Sequence, residues 1–477
     1  MILGGLLVVI GCRPRSVEQA GPQVTATPES IAWREGDVNA AFRDARQTGK
    51  PILLYWGAKW CPPCRALEAT HFRNASVVAE MRHFLPVHLD GDAKGAQRWG
   101  DRFHIGGYPT IIVLRSDGSE VMRLSRVAAP AQFAAALRAM AAQAAPISAL
   151  LGQALADPGK LTHDQWEAIA AYDWLDTSGR FADRAANAHM LERLAVVAPD
   201  PKLARRFAIY ALTPRTIAAS TTLSASEQSE VWQILPELIG SEQEVSSNLP
   251  YLGYVAPRLI AALPPSPART ALGNHLLRVL DKAAEDEQLG LADRVRTLDA
   301  EIVLAKADNG GRIPAAVVAR IYRRIGQAER AAHTPALRQS VLEAISDILV
   351  EAGDAREAAR ILGNDLSHAA VPAYYMRALG QIEAQRGDTF LAVRWARRAA
   401  EAAVGEDSRL RWAIDYSMTA IRMTPTDGPG VNASARTVLA AAAQGRGNYS
   451  TTTRDRVDAW RKAYARWCRS YSATCSS

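Results

Sequence analysis

Pro51-Ile52-Leu53-Leu54-Tyr55-Trp56, followed by Trp60-Cys61-Pro62-Pro63-Cys64-Arg65-Ala66-Leu67-Glu68, is the stretch on which the reading of this chain turns. The first six residues form a continuous apolar run of the kind shown by a central strand buried on both faces. The second segment opens an amphipathic helix running on through Leu67, His71 and Phe72. A pair of cysteines spaced Cys-x-x-Cys therefore falls at a strand-to-helix junction.

Working outward, 37–47 is helical by its alanine and charge spacing and is ended by Gly49-Lys50. A second long strand covers 84–89 and closes on Asp90, and a helical stretch follows near 93–103. Gly106-Gly107-Tyr108-Pro109-Thr110 leads into a strand at 111–114, a turn at Ser116-Asp117-Gly118-Ser119, a strand at 120–124 and a helix at 130–140. Strands flanked by helices over residues 28–145 make an α/β sandwich.

This order, with Trp-Cys-x-x-Cys at the junction and Tyr-Pro-Thr before a strand, resembles thioredoxin. Within that superfamily, Lys50-Pro51, the 60–68 segment and Phe72 are most similar to the C-terminal periplasmic domain of DsbD-type thiol-disulfide reductases. The resemblance implies a reductant that passes electrons to protein disulfides, with a membrane reductase as its own electron donor. It also implies a cis bond before Pro109, which would set the Tyr108 backbone beside the sulfurs to pair with an extended substrate, with Thr110, Pro62 and Pro63 in the same substrate site.

The placement of the cysteines gives their roles. At a helix N-terminus the unpaired N–H groups and the macrodipole favour a thiolate, lowering a free-thiol pKa of ~8.5 into the ~3.5–7.5 range. Cys61 is thus the expected nucleophile, and Cys64, one turn along and behind it, resolves the mixed disulfide. Trp60 is expected to cover one side of the site. Half a zinc site is the alternative for such a pair, but His71 and His104 form no second pair at ligand spacing, so no metal or cofactor is expected. His71 reads as a surface or semi-buried helix residue.

Two positions depart from the thioredoxin pattern. Tyr55 stands where a buried aspartate is usual, and the lysine that would partner it falls at about Pro86. Glu68, one helical turn past Cys64, is the remaining candidate for handling the resolving thiol's proton, its alternative being a solvated helix glutamate. Asp90, at a strand end, is a weaker candidate for the same proton, its alternative being a turn former.

Composition bounds the rest. The chain has 477 residues, 48% hydrophobic and 7% aromatic, with 56 Lys+Arg against 49 Asp+Glu and five cysteines. At roughly 100–200 residues per domain this predicts several cores. The charges are mixed along the chain without a basic block, so nucleic acid is not expected as a partner. Residues 2–10 are almost wholly apolar, too short for the ~20 residues of a span but suited to a secretory signal. Val9-Ile10-Gly11-Cys12 resembles a bacterial lipobox, which implies a signal at 1–11, lipidation of Cys12, a linker at 12–27 and a periplasmic protein held at the membrane by its acyl chains. Arg13 gives no inner-membrane retention signal, pointing to the outer membrane.

Past Pro146 strand-like runs vanish, and helical segments alternate with breaks such as Pro264-Pro265-Ser266-Pro267 and Asn309-Gly310-Gly311. Gly353-Asp354 recurs as Gly387-Asp388, Ala358 as Ala392 and Ile345 as Leu379, a period of 34 residues that resembles the tetratricopeptide repeat. Residues 146–477 are expected to form an all-α solenoid whose concave surface binds a protein partner. Trp232, Tyr374, Tyr375, Trp395 and Trp412 either line that groove or serve as core. Cys468 and Cys475, unaccompanied by the surroundings of a redox pair, read as a stapling disulfide. Two functions follow: a membrane-anchored thiol-disulfide oxidoreductase, or a non-enzymatic lipoprotein scaffold that works through its helices.

Overall fold

The computed structural model describes residues 30–124, 129–142, 145–174, 183–213, 222–445, 449–471 and 475. Cys12 and the signal and linker segments assigned to 1–27 lie outside the described residues.

The N-terminal part runs β1 (Arg34–Glu35), α1 (Val38–Thr48), β2 (Ile52–Gly57), α2 (Pro62–Ala69), α3 (Ala75–Met81), β3 (Leu85–Asp90), α4 (Gln97–Arg102), β4 (Thr110–Leu114), β5 (Glu120–Leu124) and α5 (Pro130–Ala142). The strands form one sheet in the order β1-β3-β2-β4-β5, with β1, β3 and β2 parallel and β4 and β5 antiparallel to their neighbours. β2 is central, and all six of its residues are buried. Because side chains alternate along a strand, Leu53 and Tyr55 join the core under α2, α3 and α5, while Ile52, Leu54 and Trp56 join the core under α1 and α4.

The structure differs from the expected elements at four places. Two elements are additional: β1, whose two residues are too few to carry a periodicity, and α3, which Asn74 caps by accepting from the N–H groups of Ser76 and Val77. The helix opened by Cys61 stops at Ala69, and His71 sits in a 3-10 turn, 5% exposed, with Nδ1 bonded to Thr70 Oγ1 at 2.9 Å. It is therefore neither on that helix nor at the surface. Only Gln97–Arg102 of the 93–103 stretch is α-helical.

Among the described residues past 146 every regular element is helical. The first of these helices do not form a separate core: one apolar cluster runs from Leu53 and Phe133 through Trp166 and Phe207 to Leu304. The 34-residue period corresponds to two helix pairs, Pro335–Glu351 with Ala355–Asp365 and Pro372–Arg386 with Thr389–Ala402. Gly353 and Gly387 both turn with positive φ, of 90° and 78°, and Asp354 and Asp388 cap the helices that follow. Ala358 and Ala392 are fully buried at equivalent points. The helical array then returns to the sheet domain, where Arg454 pairs with Asp101 at 2.7 Å and Pro335–Glu351 packs on α2. No helix among the described residues is long and apolar enough to cross a membrane.

Candidate functional site

Sheet register builds the site. Trp56 pairs with Thr110 across β2 and β4, so the loop leaving β2 and the turn entering β4 emerge side by side at one edge of the sheet. The first carries Trp60 and Cys61; the second carries Tyr108 and Pro109, joined by a cis peptide bond. Cys61 is the N-cap of α2, and its Sγ accepts the backbone N–H of Cys64 at 3.2 Å. Pro62 and Pro63 occupy the first turn, where a missing N–H leaves nothing unsatisfied. Cys61 and Cys64 are joined by a disulfide.

Glu68 is tied to the pair indirectly. Tyr55 Oη donates to Glu68 Oε1 at 3.2 Å and lies 3.5 Å from the carbonyl oxygen of Cys64, while Arg65 pairs with Glu68 Oε2 at 2.9 Å. Burial, with Glu68 beside it, pushes the Tyr55 phenol well above its ordinary value, so it stays a donor. The aromatic residue in place of the usual aspartate therefore positions the glutamate that remains. Thr110 Oγ1 donates to the Gly107 carbonyl at 3.0 Å, so its hydroxyl pins the Tyr-Pro turn and does not face outward. Asp90 Oδ1 accepts from Asp92 N at 3.0 Å, as a turn former does.

The largest departure from expectation is access. Cys61 is 2% exposed and Cys64 fully buried, although a nucleophile needs a path to its substrate. The cover comes from the helical array. Trp60 meets Tyr108 edge-on at 5.1 Å, stacks on Tyr374 at 5.9 Å and meets Trp412 edge-on at 5.9 Å. Gln339 Nε2 donates to the Trp60 carbonyl at 3.2 Å, leaving its buried Oε1 without a hydrogen-bond partner. Tyr374 and Trp412 thus pack on the redox loop, whereas Tyr375 is core at 1% exposure. Trp232 and Trp395 are partly buried and pack against the apolar clusters of the helical array.

Sequence reasoning missed Asp92, Asp407 and Ser408. Asp92 Oδ2 accepts the indole N–H of Trp60 at 2.6 Å and its Oδ1 accepts the backbone N–H of Ser408 at 2.8 Å. Tyr108 Oη donates to Asp407 Oδ2 at 3.3 Å, and Arg411 pairs with the same carboxylate at 3.2 Å. Burial, with Asp407 nearby, pushes the Asp92 carboxyl up to about 6 despite these two bonds. Only the position of Asp92, just past a strand end, signalled it in the sequence.

A central β2, a disulfide at the start of the following helix and a cis-proline turn beside it define a thioredoxin-like domain, and residues 38–141 match the family model described as a thioredoxin-like domain. The chain is similar there to the thiol:disulfide interchange protein DsbD 1 of Pseudomonas aeruginosa, with 32% identity over 103 residues, 21% of this chain and 17% of that protein. It is similar also to DsbD of Ralstonia nicotianae, with 31% identity over 86 residues, 18% of this chain and 14% of that protein. DsbD of Pseudomonas fluorescens is 26% identical over 130 residues, 24% of this chain and 22% of that protein. The chain thus spans less than a quarter of the length of these relatives.

The terminal cysteines, Cys468 and Cys475, are joined by a disulfide at the end of the helix Thr451–Tyr471, with Cys475 exposed.

Proposed function

We propose that this protein is a periplasmic thiol-disulfide oxidoreductase that reduces disulfides in partner proteins and is held at the membrane, the outer one by the reading of Arg13, through lipid on Cys12. The observation that carries this reading is the Cys61–Cys64 disulfide at the N-terminus of α2, beside the Tyr108–Pro109 turn. The similarity to thiol:disulfide interchange proteins supports exchange chemistry at this pair, and the reducing direction with a membrane dithiol as electron donor is the part of this reading carried by the family resemblance alone.

In the reduced protein the Cys61 thiolate attacks one sulfur of a substrate disulfide, forming a mixed disulfide and releasing the other substrate sulfur as a thiolate. Cys64 then loses its proton and attacks Cys61 Sγ. That step re-forms the Cys61–Cys64 disulfide and releases the second substrate thiol, so two electrons pass to the substrate. A donor dithiol reverses the sequence to regenerate the enzyme. The Cys64 N–H aimed at Cys61 Sγ supports the thiolate on Cys61. Glu68, held by Tyr55 and Arg65, is the group assigned to the Cys64 proton. The Tyr108 and Pro109 backbone, with Pro62 and Pro63, forms the substrate edge. The tetratricopeptide-like helices serve to select the partner.

Insulin reduction with dithiol recycling, with Cys61→Ser as control, tests the activity. Turnover no faster than the control would leave the second reading, a scaffold whose thioredoxin-like part is structural. The burial of Cys61 under the helices is the observation that favours that alternative.

A further inference from the structure

We propose that the N-terminal end of the helix Glu406–Met423, with Trp412 and Tyr374 beside it, is a gate over the Cys61–Cys64 disulfide, and that thiols reach Cys61 only when this edge undocks. The inference rests on the exchange chemistry assigned to that pair, and names what regulates it.

The redox domain meets the helical array on the α5 side, along α2 where Pro335–Glu351 packs, at Asp101 and at the redox loop, and the first and last of these contacts differ in character. On the α5 side the contact is a continuous apolar core running from β2 and α5 into the following helices, including Phe133, Trp166 and Phe207. Separating it would expose large apolar surface at about 25 cal/mol per Å², so this junction persists. At the redox loop the contact is instead a small apolar patch, Trp60 with Ala373, Ala403 and Trp412, ringed by hydrogen bonds to carboxylates. Polar contacts of this kind exchange with water at a modest net free-energy difference, and polar interdomain surfaces separate readily. The apolar junction can act as the hinge and the polar edge as the part that opens.

The edge is built as a latch. The helix Glu406–Met423 begins at Gly405, which has no side chain to cap it, and the cap comes from Asp92 of the other domain. Asp92 also accepts the Glu406 N–H on its backbone oxygen at 3.3 Å, and Glu406 Oε2 accepts the Gly95 N–H at 3.2 Å. The carboxylate that caps this helix also holds the Trp60 indole, so docking the helix fixes the residue next to the nucleophile. Gly405 itself adopts φ of 112°, and a Cβ there would overlap the Asp92 side chain. Both facts require glycine at this position in the docked edge.

The test is reduction of the oxidised full-length protein by a water-soluble phosphine, quenched by alkylation and read peptide by peptide in a mass spectrometer. The Cys468–Cys475 disulfide, exposed at Cys475, is the internal reference. Gly405→Ala and Trp412→Ala are each expected to raise the Cys61–Cys64 rate relative to that reference at least tenfold over the unmodified protein. Rates within twofold of it, in variants whose circular dichroism shows the native helical content, overturn the gate. Trp412→Ala decides alone if Gly405→Ala does not fold. Because the readout is chemical reduction of the protein's own disulfide, failure of the gate is distinct from failure to turn over insulin.

Discussion

Asp92 caps a helix that begins more than three hundred residues further along the chain: its Oδ1 accepts the backbone N–H of Ser408 at 2.8 Å. A capping carboxylate removed to alanine typically costs about 0.5–2 kcal/mol. Asp92→Ala also strips the Trp60 indole of its acceptor, so unfolding in urea should show a loss of about 1–3 kcal/mol. Asp92→Asn keeps an acceptor for the cap and should lose less than half as much. Equal losses in the two variants would show that charge, and not the cap, is what Asp92 contributes.

The same carboxylate sets a pH dependence. Its pKa is raised to about 6 in the docked state by burial and Asp407, against about 4 for an exposed aspartate. The docked state therefore holds a proton that the undocked state releases. Its advantage is full below about pH 4 and is lost as the pH rises to about 6. Asp407, Arg411 and Glu406 face the same point from the helix and Asp90 from the strand end. The ratio of phosphine reduction rates at Cys61–Cys64 and Cys468–Cys475 should rise between pH 4 and 6, and Asp92→Asn should flatten that rise. A ratio that falls across this window would contradict the assignment.

If Glu68 takes the proton of Cys64, Glu68→Gln should lengthen the life of the mixed disulfide about tenfold or more near pH 7. Stability should change by less than about 1 kcal/mol, since the Arg65 pair it breaks is partly exposed. Tyr55→Phe should act in the same direction and more weakly, because it frees Glu68 without removing it. Quenched-flow trapping at several pH values measures this, and an unchanged lifetime would return Glu68 to an ordinary helix position.

Cys64→Ala should accumulate a covalent adduct between Cys61 and its partner, because nothing then attacks the mixed disulfide. Adducts resolved by non-reducing electrophoresis would identify that partner. Gly405→Ala in the same background should increase their yield if the gate limits access.

Gly380 lies where the helix Pro372–Arg386 meets Thr389–Ala402, and a Cβ there would stand 3.1 Å from the backbone nitrogen of Ala396. Since that atom cannot move without its helix, Gly380→Ala should destabilise the array by about 1–3 kcal/mol. Cys468→Ser should cost no more than about 2.5 kcal/mol, the closure entropy of so short a loop, and should leave insulin reduction unchanged.

The α/β order, the placement of Cys61 and Cys64 at a helix start and the 34-residue recurrence were legible because each is local. An apolar run, a Cys-x-x-Cys and a Gly-Asp turn each dictate structure within a few residues of themselves. β1 and α3 were not legible, being too short for periodicity and held by partners elsewhere, Val87 for Arg34 and a packed α5 for α3. Glu68 could be named from its spacing, but that Tyr55 would hold it followed only from β2 passing beneath α2. Sequence alone was enough to place the cysteine pair at a helix start within a thioredoxin-like fold. Tertiary structure decided whether that pair can be reached, because the bonds from Asp92 to Ser408 and from Tyr108 to Asp407 join residues 316 and 299 positions apart. No periodicity or propensity encodes such a contact; it exists only once the helical array has closed back onto the sheet.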